Sequence, residues 1–261
     1  MRIQTSFIQI DGVGEITERE LWEAGVTRWE EAAEETWLRK NQRQAIESFA
    51  AEARPRVDAA DIAYFSDRLP GGEQWRLTDT FGDRCTALDI ETTGLDQFRD
   101  HVTAVSVHGP KGTETLVRGR DLNRGRLDEL VADIDLLVTF NGKRFDVPFL
   151  ESAFGIEVDV PHLDLMYPCR KLGLTGGLKA VECRLGIDRE VPDVDGREAV
   201  RLWHQHEAGD EEALDRLIRY NREDTRTLLP IVEHLHWTLE REIFEPYVPT
   251  DSPAQHGGSS K

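Results

Sequence analysis

Cysteine is scarce in this sequence. Cys85, Cys169 and Cys183 lie far apart, with no Cys-x-x-Cys pair. An odd, dispersed set excludes a closed disulfide framework and leaves a zinc site without its usual spacing. The three thiols read as small buried residues of a reducing compartment. Long apolar runs are also missing, and none approaches the roughly 18 residues of a membrane span. The first residues, Met-Arg-Ile-Gln-Thr-Ser-Phe-Ile, lack the apolar stretch of a secretory signal. A soluble, cytoplasmic protein without a membrane partner is therefore expected.

Lysine is the third shortage. Only Lys40, Lys111, Lys143, Lys171, Lys179 and Lys261 occur among 32 basic residues, against 50 Asp and Glu, for a formal net charge of −18. Such a surface repels polyanions. Excess carboxylate with little lysine also resembles the bias of proteins from salt-loving organisms. At about 1 M salt the Debye length falls to ~3 Å, so the global charge fades while close contacts persist. A halophilic protein should therefore melt at a higher temperature as KCl is added. A melting temperature flat or falling in KCl would sink this expectation.

What is present is a globular composition, 39% hydrophobic over 261 residues, enough for one large domain or two small ones. Residues 1–80 read as helical. Thr17 to Ala24 forms a helix that ends at Gly25, and Thr27 caps a second with Trp29, Ala32 and Ala33 at helical spacing. A third covers about 40 to 53 and breaks near Pro55, with one or two further turns between 58 and 68. Leu69-Pro-Gly-Gly72 is a clear break.

Beyond it, residues 85–91, 102–107 and 113–117 read as three strands joined by short turns, a meander. A helix over 122–134, a buried strand over 136–140 and helices over 147–154, 177–186, 197–207 and 211–241 follow, the last kinked at Pro230. The tail from Thr250 reads as disordered. This gives a helical region at 1–80, an α/β domain at 81–248 and a tail at 249–261. The order of the strands does not follow from the pattern.

Acidic residues sit beside apolar runs in three places. Asp89 and Glu91 lie in Ala-Leu-Asp-Ile-Glu-Thr-Thr-Gly-Leu, Asp146 in Asn-Gly-Lys-Arg-Phe-Asp, and Asp224 in Tyr-Asn-Arg-Glu-Asp. On a strand Asp89 and Glu91 share one face, while Leu88 and Ile90 point to the core. Tyr220 stands one helical turn before Asp224, on the same face. Each segment has a plainer reading: a solvated strand edge, a helix cap at Asp146, a solvated helix face at Asp224. Converging, the four carboxylates would repel strongly unless cations bind them. A pair of divalent ions removes the repulsion and supplies phosphodiester hydrolysis.

In this order the three segments resemble the exonuclease motifs of the DEDD superfamily. Tyr220 four residues before Asp224 matches its DEDDy branch. Ala63-Tyr-Phe-Ser-Asp-Arg-Leu-Pro70 and Glu73-Gln-Trp-Arg76 are similar to the YprB-type ribonuclease-H-like predicted exonucleases. The resemblance implies a ribonuclease-H-like fold, a mixed sheet with an antiparallel meander and flanking helices. It implies 3′–5′ exonuclease action on a single-stranded DNA or RNA end with two Mg²⁺ or Mn²⁺ ions. Asp89 would bridge the ions, Glu91 and Asp224 would hold the ion that activates water, Asp146 would hold the other through water, and Tyr220 would orient the water.

Thr92 and Leu95 would touch the terminal nucleotide, with Asn141 beside the substrate. Lys179 and Arg170-Lys171 bind phosphate or are ordinary surface charge, and Asp164 orients metal waters or is structural. A non-catalytic nucleic-acid-binding or scaffold module, or a structure-selective endonuclease, would use the same fold.

Ile10-x-Gly12-Val-Gly14-x-x-Thr-x-x-x-Leu resembles the helix-hairpin-helix motif, whose backbone N–H groups meet a DNA phosphate. Asp11, Glu15, Glu18 and Glu20 flank it and disfavour phosphate. DNA contact through Gly12 and Gly14, docking of a protein partner and plain helical packing all remain open.

Overall fold

The computed structural model describes residues 1–190 and 196–248. Its contacts divide the chain into two units, Ile62–His236 and a smaller one made of Met1–Asp61 with the segment from Trp237 onward.

In the smaller unit, α1 spans Glu15–Glu23 and α2 spans Lys40–Asp58, with a 3-10 helix, Trp29–Glu34, between them. The Trp29 helix is not the α-helix that its spacing predicts, and Thr27 is not its cap. The cap is Arg28, and the Glu31 carboxylate accepts from both the Thr27 and Arg28 N–H groups (2.8 and 2.9 Å). Helix α2 runs through Pro55 rather than breaking there. Proline forfeits one N–H near the helix end, while its carbonyl still accepts from Ala59.

The hairpin-like turn is closed by a bond from Val13 N–H to the Ile10 carbonyl, and Gly12 takes φ +80°, which favours glycine. Glu18, acidic and beside this turn, is buried. Its carboxylate accepts the N–H groups of Phe7 (2.6 Å) and Ile8 (3.0 Å), so that charge is spent internally.

The larger unit opens with α3 (Ile62–Ser66), a 3-10 helix (Gly71–Leu77) and α4 (Thr78–Phe81). These residues pack with the sheet domain, whose contact-defined unit begins at Ile62. Glu73 is buried with Arg76 at 2.7 Å and also pairs with Lys171, while Thr78 Oγ1 meets His236 Nδ1 at 3.1 Å. Lys171 thus has a structural partner.

Five strands follow: β1 (Cys85–Thr92), β2 (Val102–Gly109), β3 (Gly112–Val117), β4 (Leu136–Thr139) and β5 (His162–Asp164). Their order is β3-β2-β1-β4-β5. The first three form the antiparallel meander; β4 joins β1, and β5 joins β4, in parallel. Helices α5 (Arg124–Ala132), α6 (Asp146–Phe154), α7 (Met166–Lys171), α8 (Leu178–Leu185), α9 (Gly196–Glu207) and α10 (Glu211–Ile243) complete it, and α10 continues through Pro230.

Leu88 and Ile90 of β1, Val105 of β2, Leu127 of α5, Leu137 of β4 and Phe149 of α6 share one core. It covers one face of β1 and leaves Asp89 and Glu91 on the other. No helix of the described residues is long and apolar enough to cross a membrane. The tail assigned from 249 lies outside the described residues.

Candidate active site

Strand alternation and helix periodicity deliver the acids to one place. Asp89 and Glu91 stand on the face of β1 opposite its core residues, and Asp224 comes from the middle of α10. One oxygen from each of these three carboxylates lies within 4.8 Å of the others. Glu91 and Asp224 are buried and Asp89 is half-buried, so the strand-edge and solvated-helix readings both fail.

Asp146 opens α6 but does not cap it, since the cap position is Phe145. Its Oδ1 accepts the Ile90 N–H at 3.2 Å, which ties this acid to the strand between the other two. It stands outside the group of three, yet its charge acts on both Asp89 and Glu91. The loop before it is built tightly. Asn141 has φ +69°, and a Cβ at Gly142 would fall 2.4 Å from Thr139 Oγ1. Asp164 is buried under this loop and accepts the N–H groups of Asn141 (2.8 Å), Lys143 (3.1 Å) and Met166 (3.0 Å). Three charge-assisted bonds to backbone give Asp164 the structural of its two expected roles.

The electrostatics are those of crowded acids in a dry site. Burial, then the charges of Asp224, Asp146 and Glu91, hold the Asp89 carboxyl well above the ordinary range. Glu91 is raised by burial and by Asp224 and Asp146, and lowered by Lys179. Burial raises Asp146 to about 7 against two backbone hydrogen bonds. Asp224 is raised by burial, with Arg189 opposing. Burial and the Asp224 charge push the Tyr220 phenol far up, so at neutral pH it is a hydrogen-bond donor, and it donates to Asp224.

Three residues complete the site. Lys179, at the start of α8, places Nζ 5.0 Å from the centre of the Tyr220 ring. Asn221 donates to Asp89 Oδ2 at 2.7 Å and to the Asp89 carbonyl at 3.2 Å, which orients the half-buried acid. Sequence reasoning gave Asn221 no role, although its place after Tyr220 was visible. Arg189 was also missed. It pairs with Asp224 and with the buried Glu182.

Thr92 directs its hydroxyl into its own loop, onto the Gly94 carbonyl at 2.6 Å. On that loop Leu95 and Phe98 are 86% and 83% exposed, an unusual display of two large apolar side chains. The Asn141 backbone is engaged by Asp164. Gly12 and Gly14 belong to the smaller unit described above.

A family model of the RNase_H superfamily matches residues 87–236, more than half of the chain. The chain belongs to the RNase H superfamily. The observed sheet, an antiparallel meander extended by parallel strands, agrees with an RNase H-like fold. No curated protein matches the sequence.

Among solved structures, a family B DNA polymerase from the archaeon Pyrobaculum calidifontis is 22% identical with a TM-score of 0.51, over 62% of this chain and 26% of the polymerase. The match is therefore to a minor part of a longer protein. NrnC of Brucella melitensis, solved with bound Mg²⁺, is 22% identical with a TM-score of 0.45, over 63% of this chain and 78% of NrnC. NrnC bound to pGG gives a TM-score of 0.44. At 22% identity the polymerase match shows a shared fold alone.

Proposed function

We propose that this chain is a divalent-metal-dependent 3′–5′ exonuclease of the DEDDy type, acting on a single-stranded DNA or RNA end. The observation that carries the reading is the meeting of Asp89, Glu91 and Asp224 within 4.8 Å, with Asp146 tied to the same strand. The donor set is entirely oxygen, which suits Mg²⁺ or Mn²⁺ over softer ions. Crowded buried carboxylates whose proton affinities are raised by one another are groups that a cation would relieve.

Asp89, Glu91 and Asp224 would hold one ion, and Asp146 with Asp89 the other. When bound, the pair would supply charge stabilisation at the attacking and leaving oxygens of an in-line displacement. Tyr220, protonated and donating to Asp224, would orient the attacking water by accepting from it. Asn221 would fix the Asp89 carboxylate, and Lys179 would offer charge to a phosphate oxygen. Leu95, exposed beside Thr92, would meet the terminal base. The resemblance to YprB-type proteins supports the branch. Its helix-hairpin-helix-like turn would serve a nucleic-acid or protein partner through Gly12 and Gly14.

Degradation of 5′-labelled single-stranded DNA and RNA in Mn²⁺ and high KCl tests the reading. The expected result is a ladder shortening from the 3′ end, lost with EDTA. Tyr220→Phe should slow it by roughly 10- to 100-fold, since one positioning hydroxyl is removed and the metal ligands stay. Internal cuts would select the endonuclease, and binding without cleavage the scaffold.

A further inference from the structure

Arg189 lies directly on a carboxylate of the acidic cluster. It follows α8 in Gly-Ile-Asp-Arg-Glu, a polar stretch with no periodicity. Its Nη2 donates to Asp224 Oδ1. Its Nη1 donates to both oxygens of Glu182, at 2.8 and 3.0 Å.

Glu182 is buried and takes a further bond from the Thr227 hydroxyl of α10. The adjacent backbone is pinned as well, with the Glu190 N–H on Glu223 Oε1 at 2.8 Å. The guanidinium carbon sits 5.5 Å from the centre of the Tyr220 ring. Arg189 is thus suspended between two acids. Glu182 has no place in the metal-ligand set, and Asp224 belongs to it.

We propose that Arg189 is a positioning residue that competes with the divalent ion for Asp224, with Glu182 as the anchor to which the guanidinium retreats. This rests on the metal reading above. One Asp224 oxygen serves either a guanidinium or an ion, and two cations on one buried carboxylate repel. Glu182 makes the exchange reversible. It keeps Arg189 neutralised when Asp224 turns to the metal, so no buried charge is stranded. The arrangement trades metal affinity for a site that stays compact without the ion.

The test is direct Mn²⁺ binding, followed by the electron paramagnetic resonance signal of free Mn²⁺ and by calorimetry, without nucleic acid. Arg189→Gln alone should tighten binding on the order of tenfold or more. Removal of any nearby positive charge would do some of that. The deciding variant is therefore Arg189→Gln with Glu182→Gln, which leaves the net charge of the site unchanged and removes the stranded acid that could hinder folding of the single variant. Tighter binding than wild type in the double variant is expected, while Arg189→Lys stays near wild type.

Equal or weaker binding in the double variant would overturn the competition. Asp224→Asn in the wild-type background is the separate control. If it leaves Mn²⁺ binding intact, or if wild type binds none, the metal reading itself has failed and this inference falls with it.

Discussion

Asp89→Asn is expected to lower nuclease turnover on the order of 10³-fold while raising the melting temperature of the metal-free protein. The loss follows from the position of Asp89, which shares the three-carboxylate cluster with Glu91 and Asp224 and would bridge two ions. An amide is a poor ligand there, and several kcal/mol of charge stabilisation disappear at ~1.4 kcal/mol per decade. The gain has the same origin. Asp89 bears the charges of Asp224, Asp146 and Glu91 in a partly buried site, and asparagine removes one member of that repulsion at constant shape.

Asn221 need not move for this substitution, because its Nδ2 at 2.7 Å from Asp89 Oδ2 can donate to an amide oxygen as well. For a domain of this size each kcal/mol recovered shifts the melting point by about 2–4 °C. Calorimetry in EDTA and a single-turnover assay in Mn²⁺ read the two effects separately. A variant that loses activity and stability together would mean that Asp89 is a structural residue, and the catalytic assignment would fall.

Where local periodicity carries the information, the sequence was readable. The two-residue repeat placed Asp89 and Glu91 opposite Leu88 and Ile90, and the four-residue step put Tyr220 with Asp224. The meander was legible because short turns pair neighbouring strands. The parallel pairing of β4 with β1 was not, because it is made across α5 and no local pattern encodes it. Trp29 shows the opposite failure. Its helical spacing is real, but the carboxylate of Glu31 closes a tighter turn there.

Charged residues held by partners inside the fold were the main blind spot. The partners of Glu18, Glu73, Arg76, Asp164, Glu182 and Arg189 were not legible, because a polar residue carries no sign of its partner until the fold brings the two together. Asp164 finds its backbone partners at Asn141 and Lys143, more than twenty residues earlier, and Arg189 reaches Asp224 across 35 positions. Two cations thus act on the cluster, Arg189 by pairing with Asp224 and Lys179 through its charge on Glu91.

Without metal, the protein should lose stability as the pH rises from 6.5 to 8, and saturating Mn²⁺ should flatten or reverse that slope. Four acids set the sign. Asp146 is raised to about 7, and Asp89, Glu91 and Asp224 are raised as well, whereas carboxyls of the unfolded chain titrate near 4. Between those values the folded state binds more protons than the unfolded state, so stability falls with pH and continues to fall until the last folded carboxyl ionises.

Histidine opposes this slope, and its opposition fades across the window, while the thiols share the sign of the acids but act at higher pH. His162 is depressed to about 3 and His108 is lowered, both chiefly by burial, so their contribution rises with pH; it is half complete near 6.5, where an unfolded histidine keeps half its protons, and nearly complete by about 8. Cys85 and Cys169 are raised to about 12 by burial and act only above the usual thiol range near 8.5. Within the window the acidic cluster therefore dominates. Bound Mn²⁺ replaces the protons, and its affinity grows as they leave. At a hundredfold excess over its dissociation constant it stabilises by about 2.7 kcal/mol, most visibly at pH 8. Thermal melts in EDTA and in Mn²⁺ across this window decide the matter. A metal-free melting temperature that climbs toward pH 8 would show that the acids are already ionised and individually solvated, and a metal centre would then have no crowded charge to relieve.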